Sequence, residues 1–386
     1  NAVGLLKEEL KLLGSLIMEA ALIAEVPAGG ALAVDREVFS SYIDEKLRSH
    51  PAIEIMEEEA TSIPGVSATN PVIIATGPLT SKPLAGAIEA LIGTNSLAFF
   101  DAISPIITYD SLDLTKIFRQ SRYDKGGGSD YLNIPLNEAE YCAFVEAVRS
   151  GEKYGGQEQV EADRVDDLRP FEGCMPIEEM VERGPDTLRF GPMKPVGLTD
   201  PRTGRRPYAV IQLRQDDKAG TLWSMVGFQT RLKQPEQKRI FCTLPGLENA
   251  EFVRLGSVHR NTFINSPSCL EPTAAFRGRP GLYFAGQITG VEGYVESTAC
   301  GLVAGLNAQR LMAGNAPLIF PGTSAIGALM AYISDPSRVS FQPMNISYGL
   351  LQGYCEGASS GTKKVSRKDK RIALANKSLT QLTNFI

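Results

Sequence analysis

Only two histidines, His50 and His259, and one tryptophan, Trp223, occur in the 386 residues. Six cysteines are scattered at 142, 174, 242, 269, 300 and 355, with no CxxC pair among them. A structural zinc site needs a tighter cluster of Cys and His ligands, so no metal is expected. A secreted disulfide framework is equally unsupported, and free thiols in a reducing compartment are expected. No apolar run approaches the roughly 20 residues that would span a bilayer. The opening Asn1-Ala2-Val3-Gly4-Leu5-Leu6-Lys7 has no basic region ahead of an apolar core, unlike a signal peptide. The cytoplasm, with no membrane contact, is the expected location.

The length suits two domains rather than one small core. A net charge of −5 argues against a wholly basic protein, but the charge is segregated. Residues 183–239 hold 12 Lys and Arg against 5 Asp and Glu, and residues 361–386 hold 7 against 1. Those segments carry +7 and +6, so the remainder carries −5 − 13 = −18. Such a distribution fits one surface facing a polyanion, although a solvated basic face would look the same.

Apolar spacing predicts helix over residues 1–24, then a loop at Pro27-Ala28-Gly29-Gly30. Asp35 is the predicted cap of a second helix over 36–50, with Phe39, Tyr42, Ile43 and Leu47 as its apolar stripe and His50 near its C-terminal dipole. The run Pro71-Val72-Ile73-Ile74-Ala75-Thr76-Gly77-Pro78 reads as a buried parallel strand ending at a ligand-facing turn. Helix follows at 83–92, and 99–103 is a strand or loop candidate. Gly126-Gly127-Gly128-Ser129-Asp130 is a candidate domain edge. Helix resumes at 137–149, and 190–228 is strand-rich. Residues 281–287 read as a strand running into a glycine turn, with a helix of small residues at 297–312. The basic tail after Ser359 is expected to be partly disordered, with a possible last helix.

Chemistry gathers first at the second strand–turn–helix. Gly286, Gly290 and Gly293 surround Val291-Glu292, and Ser297, Ala299 and Gly301 follow in the helix. Small residues there let backbone N–H groups approach an anion or a flat ring, and a helix start favours phosphate. With the Ile74-Ala75-Thr76-Gly77 turn, this pattern points to a doubly wound flavin-binding domain.

The stretch Phe284-Ala285-Gly286-Gln287-Ile288-Thr289-Gly290-Val291-Glu292-Gly293-Tyr294-Val295-Glu296-Ser297 resembles the folate- and FAD-dependent tRNA (uracil-5-)-methyltransferases. So do Phe171-Glu172-Gly173-Cys174-Met175-Pro176, Leu188-Arg189-Phe190-Gly191-Pro192-Met193-Lys194-Pro195, and His259-Arg260-Asn261-Thr262-Phe263-Ile264-Asn265-Ser266-Pro267. The resemblance covers roughly residues 1–350. It implies an α/β fold: a doubly wound Rossmann-like FAD-binding domain interrupted by an α+β domain. The expected boundaries are 1–125 and 266–340 for the FAD-binding domain, 126–265 for the insertion, and 341–386 for a C-terminal segment. The family opens with a strand and a G-x-G-x-x-G phosphate turn, then a cysteine-bearing loop. Neither is found here, so the chain reads as truncated at its N-terminus.

The resemblance further implies methylation of uracil carbon 5 in the T loop of tRNA, giving ribothymidine. Carbon would come from 5,10-methylenetetrahydrofolate and electrons from FADH₂, recharged by NAD(P)H. Thr76, Gly77, Gly286, Gln287, Gly290, Gly293, Tyr294, Ser297 and Gly301 become the expected FAD positions. His259, Arg260 and Asn261 are the expected folate and substrate positions. Cys174, which on its own reads as a small buried hydrophobe, becomes the nucleophile that adds to carbon 6 of uracil. Arg189, Lys194 and Arg214 are the candidates to favour its thiolate. Arg202, Arg205 and Arg206 form a basic turn able to contact tRNA phosphates, while Trp223, Tyr208 and Phe228 could stack on bases or pack in a core. Three other readings stay open: flavin-dependent modification of the wobble uridine, a small-molecule flavoprotein oxidoreductase, and an inactive tRNA-binding protein.

Overall fold

The computed structural model describes residues 1–93, 97–154, 175–338, 341–351 and 366–385, with the side chains of 97–102, 258–262 and 367 left aside. The chain opens with α1 (Ala2–Leu12), capped by the Asn1 side chain on Gly4 N, and α2 (Leu16–Ile23). The single helix expected here is broken because Gly14 turns left-handed at φ +67°. β1 (Glu25–Val26) and β2 (Ala33–Val34) form a short antiparallel ribbon around the expected loop. Asp35 caps α3 (Arg36–Arg48) by accepting from Val38 N at 3.0 Å. His50 lies beyond that helix, where its Nδ1 accepts from Ala52 N, so it serves a turn rather than the helix dipole.

β3 (Val72–Ile74), α4 (Lys82–Ile92), β4 (Leu97–Ile103), β5 (Ile106–Thr108), β6 (Phe118–Arg119) and β7 (Tyr131–Leu136) follow. α5 (Glu138–Ser150) starts with a full capping box between Asn137 and Glu140. Then come α6 (Ile177–Arg183), α7 (Thr187–Phe190), β8 (Ala209–Gln215), β9 (Leu222–Met225), α8 (Gln234–Phe241) and β10 (Phe252–Arg254). β11 (Ser257–Phe263), α9 (Ser266–Cys269), β12 (Leu282–Phe284), α10 (Tyr294–Met312), α11 (Ala325–Ser334) and α12 (Arg367–Phe385) complete the order.

Two compact units share this chain. The first comprises Asn1–Glu19, Glu54–Ala98 and Asn261–Ile386; the second comprises Ala20–Ile53 and Phe99–Arg260. Along the sequence the segments of the two units alternate. The glycine turn at 126–128 falls inside the second unit, where Asp130 beyond it accepts from Gly29 N at 2.7 Å.

In the second unit an antiparallel sheet runs in the order β10-β5-β9-β8-β7-β6. β7 and β8 pair Leu132 with Leu213, Ile134 with Ile211 and Leu136 with Ala209. Trp223, Phe144, Phe228 and Phe241 fill the core against this sheet. Fully burying an aliphatic or Phe side chain contributes roughly 1.5–3 kcal/mol. The buried polar pair in mid-sheet is satisfied: Gln212 donates to Asn133 at 2.9 Å and accepts from Arg122 at 2.7 Å.

In the first unit β3 and β12 pair in parallel, with α10 packed on both. β3 is less buried than its apolar run suggests, since Ile73 is 39% exposed. α1 packs against α10, α11 and α12. The buried Glu9 joins three of these helices, accepting from Ala325 N, Ile326 N and the Ser378 hydroxyl. Among the described residues no helix is long and apolar enough to cross a membrane.

Candidate functional site

The parallel register pairs Leu282 with Val72, Tyr283 with Ile73 and Phe284 with Ile74. Ala285 N continues it to Ile74 O at 2.9 Å, so both strands end at the same level. Open α/β sheets bind ligands outside the carboxyl ends of such strands. After β3, the Thr76 hydroxyl lies 2.6 Å from that of Thr80, which donates to Gly77 O at 3.0 Å. Gly77 sits at φ +70° with open space where a Cβ would be.

After β12 the chain makes a turn that only glycine tolerates. Gly286, Gly290 and Gly293 take φ of +78°, +79° and +104°. Thr289 closes the turn by donating to Gly286 O at 2.8 Å, and Ser266 donates to Thr289 O at 2.7 Å. Gln287 is fixed by donating its amide to the Glu292 carboxylate at 3.0 and 3.2 Å. Gly293 then caps α10, with the Glu296 carboxylate and the Asn345 amide lying where a Cβ on Gly293 would stand. Tyr294 is 94% exposed there. Ser297, half-buried one turn on, would lie 3.8 Å from a Cβ at Gly286.

Glu296, although on the first turn, serves the fold rather than a ligand. It accepts from Ile346 N at 3.1 Å, and burial pushes its carboxyl above the usual range. Gly301 lies two turns into α10 and faces open space. Cys300 is packed at 0% exposure, as its place among small residues suggests, and burial pushes its thiol up.

In the second unit the Asp200 carboxylate takes Arg202 Nε at 3.0 Å and a second guanidinium nitrogen at 2.9 Å. The remaining arm of Arg202 donates to Thr115 O at 3.0 Å. These bonds hold Asp200 below the usual carboxylate range. Arg205 and Arg206 stand exposed on the same turn, which Gly204 makes at φ +66°. Arg189 donates to Tyr208 O at 3.0 Å and lies 4.0 Å over the Tyr208 ring. Arg214 keeps a buried Nε with no hydrogen-bond partner. Trp223 and Phe228 are core residues, at 1% and 0% exposure, which removes both from base stacking.

The sequence did not announce a cavity of about 470 Å³ lined by Lys116, Asn137, Glu138, Arg202, Tyr208 and Pro245. Its walls come from segments far apart in the chain, and no local pattern marks them. His259, Arg260 and Asn261 lie on β11, which pairs with β4; their side chains are outside the described part. Cys174 also lies outside the described residues. The flanking chain is pinned on both sides, Tyr154 N to Arg231 O and Ile177 N to Gln229 O, each at 2.8 Å. The buried Glu178 adds bonds to the Thr230 hydroxyl and Arg231 N.

The model of a family described as glucose inhibited division protein A matches residues 1–316. A protein named methylenetetrahydrofolate--tRNA-(uracil-5-)-methyltransferase TrmFO, from Geobacter sulfurreducens, is 56% identical over 386 residues, covering 100% of this chain and 85% of that protein. The chain belongs to this family. Its TrmFO relatives include those of Geotalea uraniireducens, 56% identical, and Heliobacterium modesticaldum, 54% identical. Each match covers 100% of this chain, and 85% and 84% of those proteins respectively. The fold is shared with GidA of Aquifex aeolicus in its form II crystal, at a TM-score of 0.67 and 14% identity, covering 100% of this chain and 67% of that one. A second crystal form gives a TM-score of 0.67 at 17% identity, covering 99% and 68%. The TrmFO-family chain is α/β, with a parallel strand pair in its first unit and the antiparallel sheet in its second.

Proposed function

We propose that this chain is a folate-dependent tRNA (uracil-5-)-methyltransferase that binds FAD. The observation that carries the reading is 56% identity to TrmFO across the whole of this chain. The residues present fit a dinucleotide cofactor. Gly77 and Gly286 turn at positive φ with no atom closer than 3.8 Å to where a Cβ would stand, so the backbone after each strand is open to a ligand. Gly286, Gly290 and Gly293, with Ser297 behind them, would hold the cofactor, and Thr76 and Gly77 would border it. When bound, reduced FAD supplies the electrons that convert a folate-derived methylene into a methyl group.

The remaining chemistry falls to side chains. Uracil carbon 5 is a poor nucleophile until a thiolate adds to carbon 6. Cys174 is assigned that step: its sulfur bonds to carbon 6, and the electron pair of the C5–C6 double bond moves toward the carbonyl as an enolate. Carbon 5 then bonds to the methylene delivered by 5,10-methylenetetrahydrofolate. Loss of the carbon-5 proton then expels tetrahydrofolate by breaking its remaining C–N bond, which leaves an exocyclic methylene on carbon 5. A hydride equivalent added to that methylene makes the methyl group, restores the C5–C6 double bond and expels the sulfur as thiolate. His259, Arg260 and Asn261 are assigned to the folate and the uracil, and NAD(P)H is the proposed source of the electrons. Arg205 and Arg206 are assigned to tRNA phosphate. The product is ribothymidine in the T loop, formed in the cytoplasm. A structural metal has no part in this scheme.

The test is incubation of the purified chain with a tRNA transcript, labelled methylenetetrahydrofolate and NAD(P)H, followed by nucleoside mass spectrometry. Labelled ribothymidine in the T loop is expected, together with a flavin absorption band. Cys174→Ser should abolish the product and leave the band. Ribothymidine formed at the normal rate by Cys174→Ser would remove the nucleophile assignment.

A further inference from the structure

α12 presents two chemically different surfaces. Ser378 and Leu382 are fully buried, and Phe385 meets Phe320 at 5.5 Å between ring centroids. Ser378 donates to Glu9 at 2.6 Å, and Gln381 bonds the Thr323 hydroxyl at 2.5 Å. These contacts fix the C-terminal half of the helix in the first unit. The N-terminal half carries Arg367, Lys368, Lys370 and Arg371, and Lys377 follows just past the midpoint, against Asp369 as the single acid of the helix. Lys368, Arg371 and Lys377 are exposed.

This placement does not serve the helix itself. Cations favour the last turn of a helix, where the dipole is negative, and the last turn of α12 has none. The one acid of α12, Asp369, accepts from the Ser366 hydroxyl at 2.7 Å and offsets one of the five cations. In a chain of net charge −5, a concentration of +4 on one helix, five cations less one acid, is a local reversal of sign.

We propose that the N-terminal half of α12 is a docking surface for the phosphate backbone of the tRNA substrate. This rests on the reading of the chain as a tRNA-modifying enzyme and adds where the nucleic acid touches it. Phosphate contacts by Lys and Arg supply affinity and position without reading sequence. The buried half keeps the cationic half in a fixed orientation, so the contact orients the tRNA as well as attracting it.

The experiment uses the full chain with an unmodified tRNA transcript, measuring binding across a salt series. The triple variant Lys368→Gln, Lys370→Gln, Lys377→Gln leaves Arg371, which lies 5.5 Å over the Tyr348 ring, and the contacts of Ser378, Gln381 and Phe385 in place. Its affinity should fall about tenfold or more, and the slope of log K against log salt should shrink by about one per lysine that touches phosphate. The charge-retaining triple variant to Arg should bind as the wild type does, and matched thermal unfolding excludes a folding defect. Unchanged tRNA affinity and slope in the Gln variant overturn the proposal. So does loss of binding only to vesicles of anionic phospholipid, which would assign the surface to a membrane. Failure of the wild type itself to bind tRNA would instead overturn the enzymatic reading.

Discussion

The Glu9 carboxylate accepts the Ser378 hydroxyl at 2.6 Å, tying the first helix to the last. The same carboxylate takes Ala325 N and Ile326 N at 2.8 and 2.9 Å, capping α11 from another helix. Burial outweighs these bonds and raises the Glu9 carboxyl above its usual range. The folded state thus holds this proton more tightly than the unfolded chain. The stability Glu9 contributes is greatest in acid, and is lost as pH rises from the unfolded range of about 4.3 through the raised folded value. Glu9→Gln should flatten that slope. It should also cost about 1–3 kcal/mol at neutral pH, because Ile326 N–H then faces an amide nitrogen. Urea unfolding at several pH values measures both; an unaltered slope would count against the assignment.

Two glycine substitutions in one helix should have opposite signs. A Cβ at Gly293 would overlap the Glu296 carboxylate and come 3.0 Å from Asn345 Nδ2, at a φ of +104°. Gly293→Ala should cost about 1–3 kcal/mol. Gly301 faces open space inside α10, so Gly301→Ala should stabilise the cofactor-free chain by about 0.5–1 kcal/mol. Denaturant midpoints that move in the same direction would contradict the geometry.

The basic turn should separate into two kinds of arginine. Arg202 is engaged by Asp200 and Thr115 O, so Arg202→Ala should lower the unfolding temperature of the second unit. Paired Arg205→Gln and Arg206→Gln should leave the unfolding temperature unchanged and weaken tRNA binding, with a salt slope smaller by about one per lost contact. Calorimetry and filter binding on the same preparations read the two effects. A lowered unfolding temperature in the double variant would show that these side chains are structural.

Phe228 lies at 0% exposure between Phe144 and Phe241, with ring centroids at 5.9 and 6.1 Å. Phe228→Ala should destabilise the second unit by about 3–5 kcal/mol. A loss below about 1 kcal/mol in denaturant titration would mean that the cluster collapses around the cavity, against the packing described.

Much of the local architecture was legible because its signals are local. Asp35 and Asn137 accept from amide groups three residues ahead, and the runs before Thr76 and Gly286 are short, apolar and closed by glycine. The break at Gly14 escaped because apolar spacing continues across it into α2. Two of the four points where the chain passes between units fall within β4 and β11, and a third within α2, where no change of composition marks them. The glycine turn of the candidate site was readable for the same reason as the strands. The state of Arg202 was not, since one of its acceptors is Thr115 O, distant in sequence and brought near only by folding. Trp223 and Phe228 carry no sequence mark that separates a stacking ring from a core ring.

The segmental make-up of the two units has a consequence for synthesis. The strands of the six-stranded sheet are all made between residues 106 and 254, so that unit can mature as soon as this stretch is available. β3 must wait for β12, and Glu9 must wait for Ser378 at nearly the other end of the chain. The first unit is therefore the later to consolidate, and its half-made apolar surfaces are the ones a nascent chain most needs a chaperone to shield.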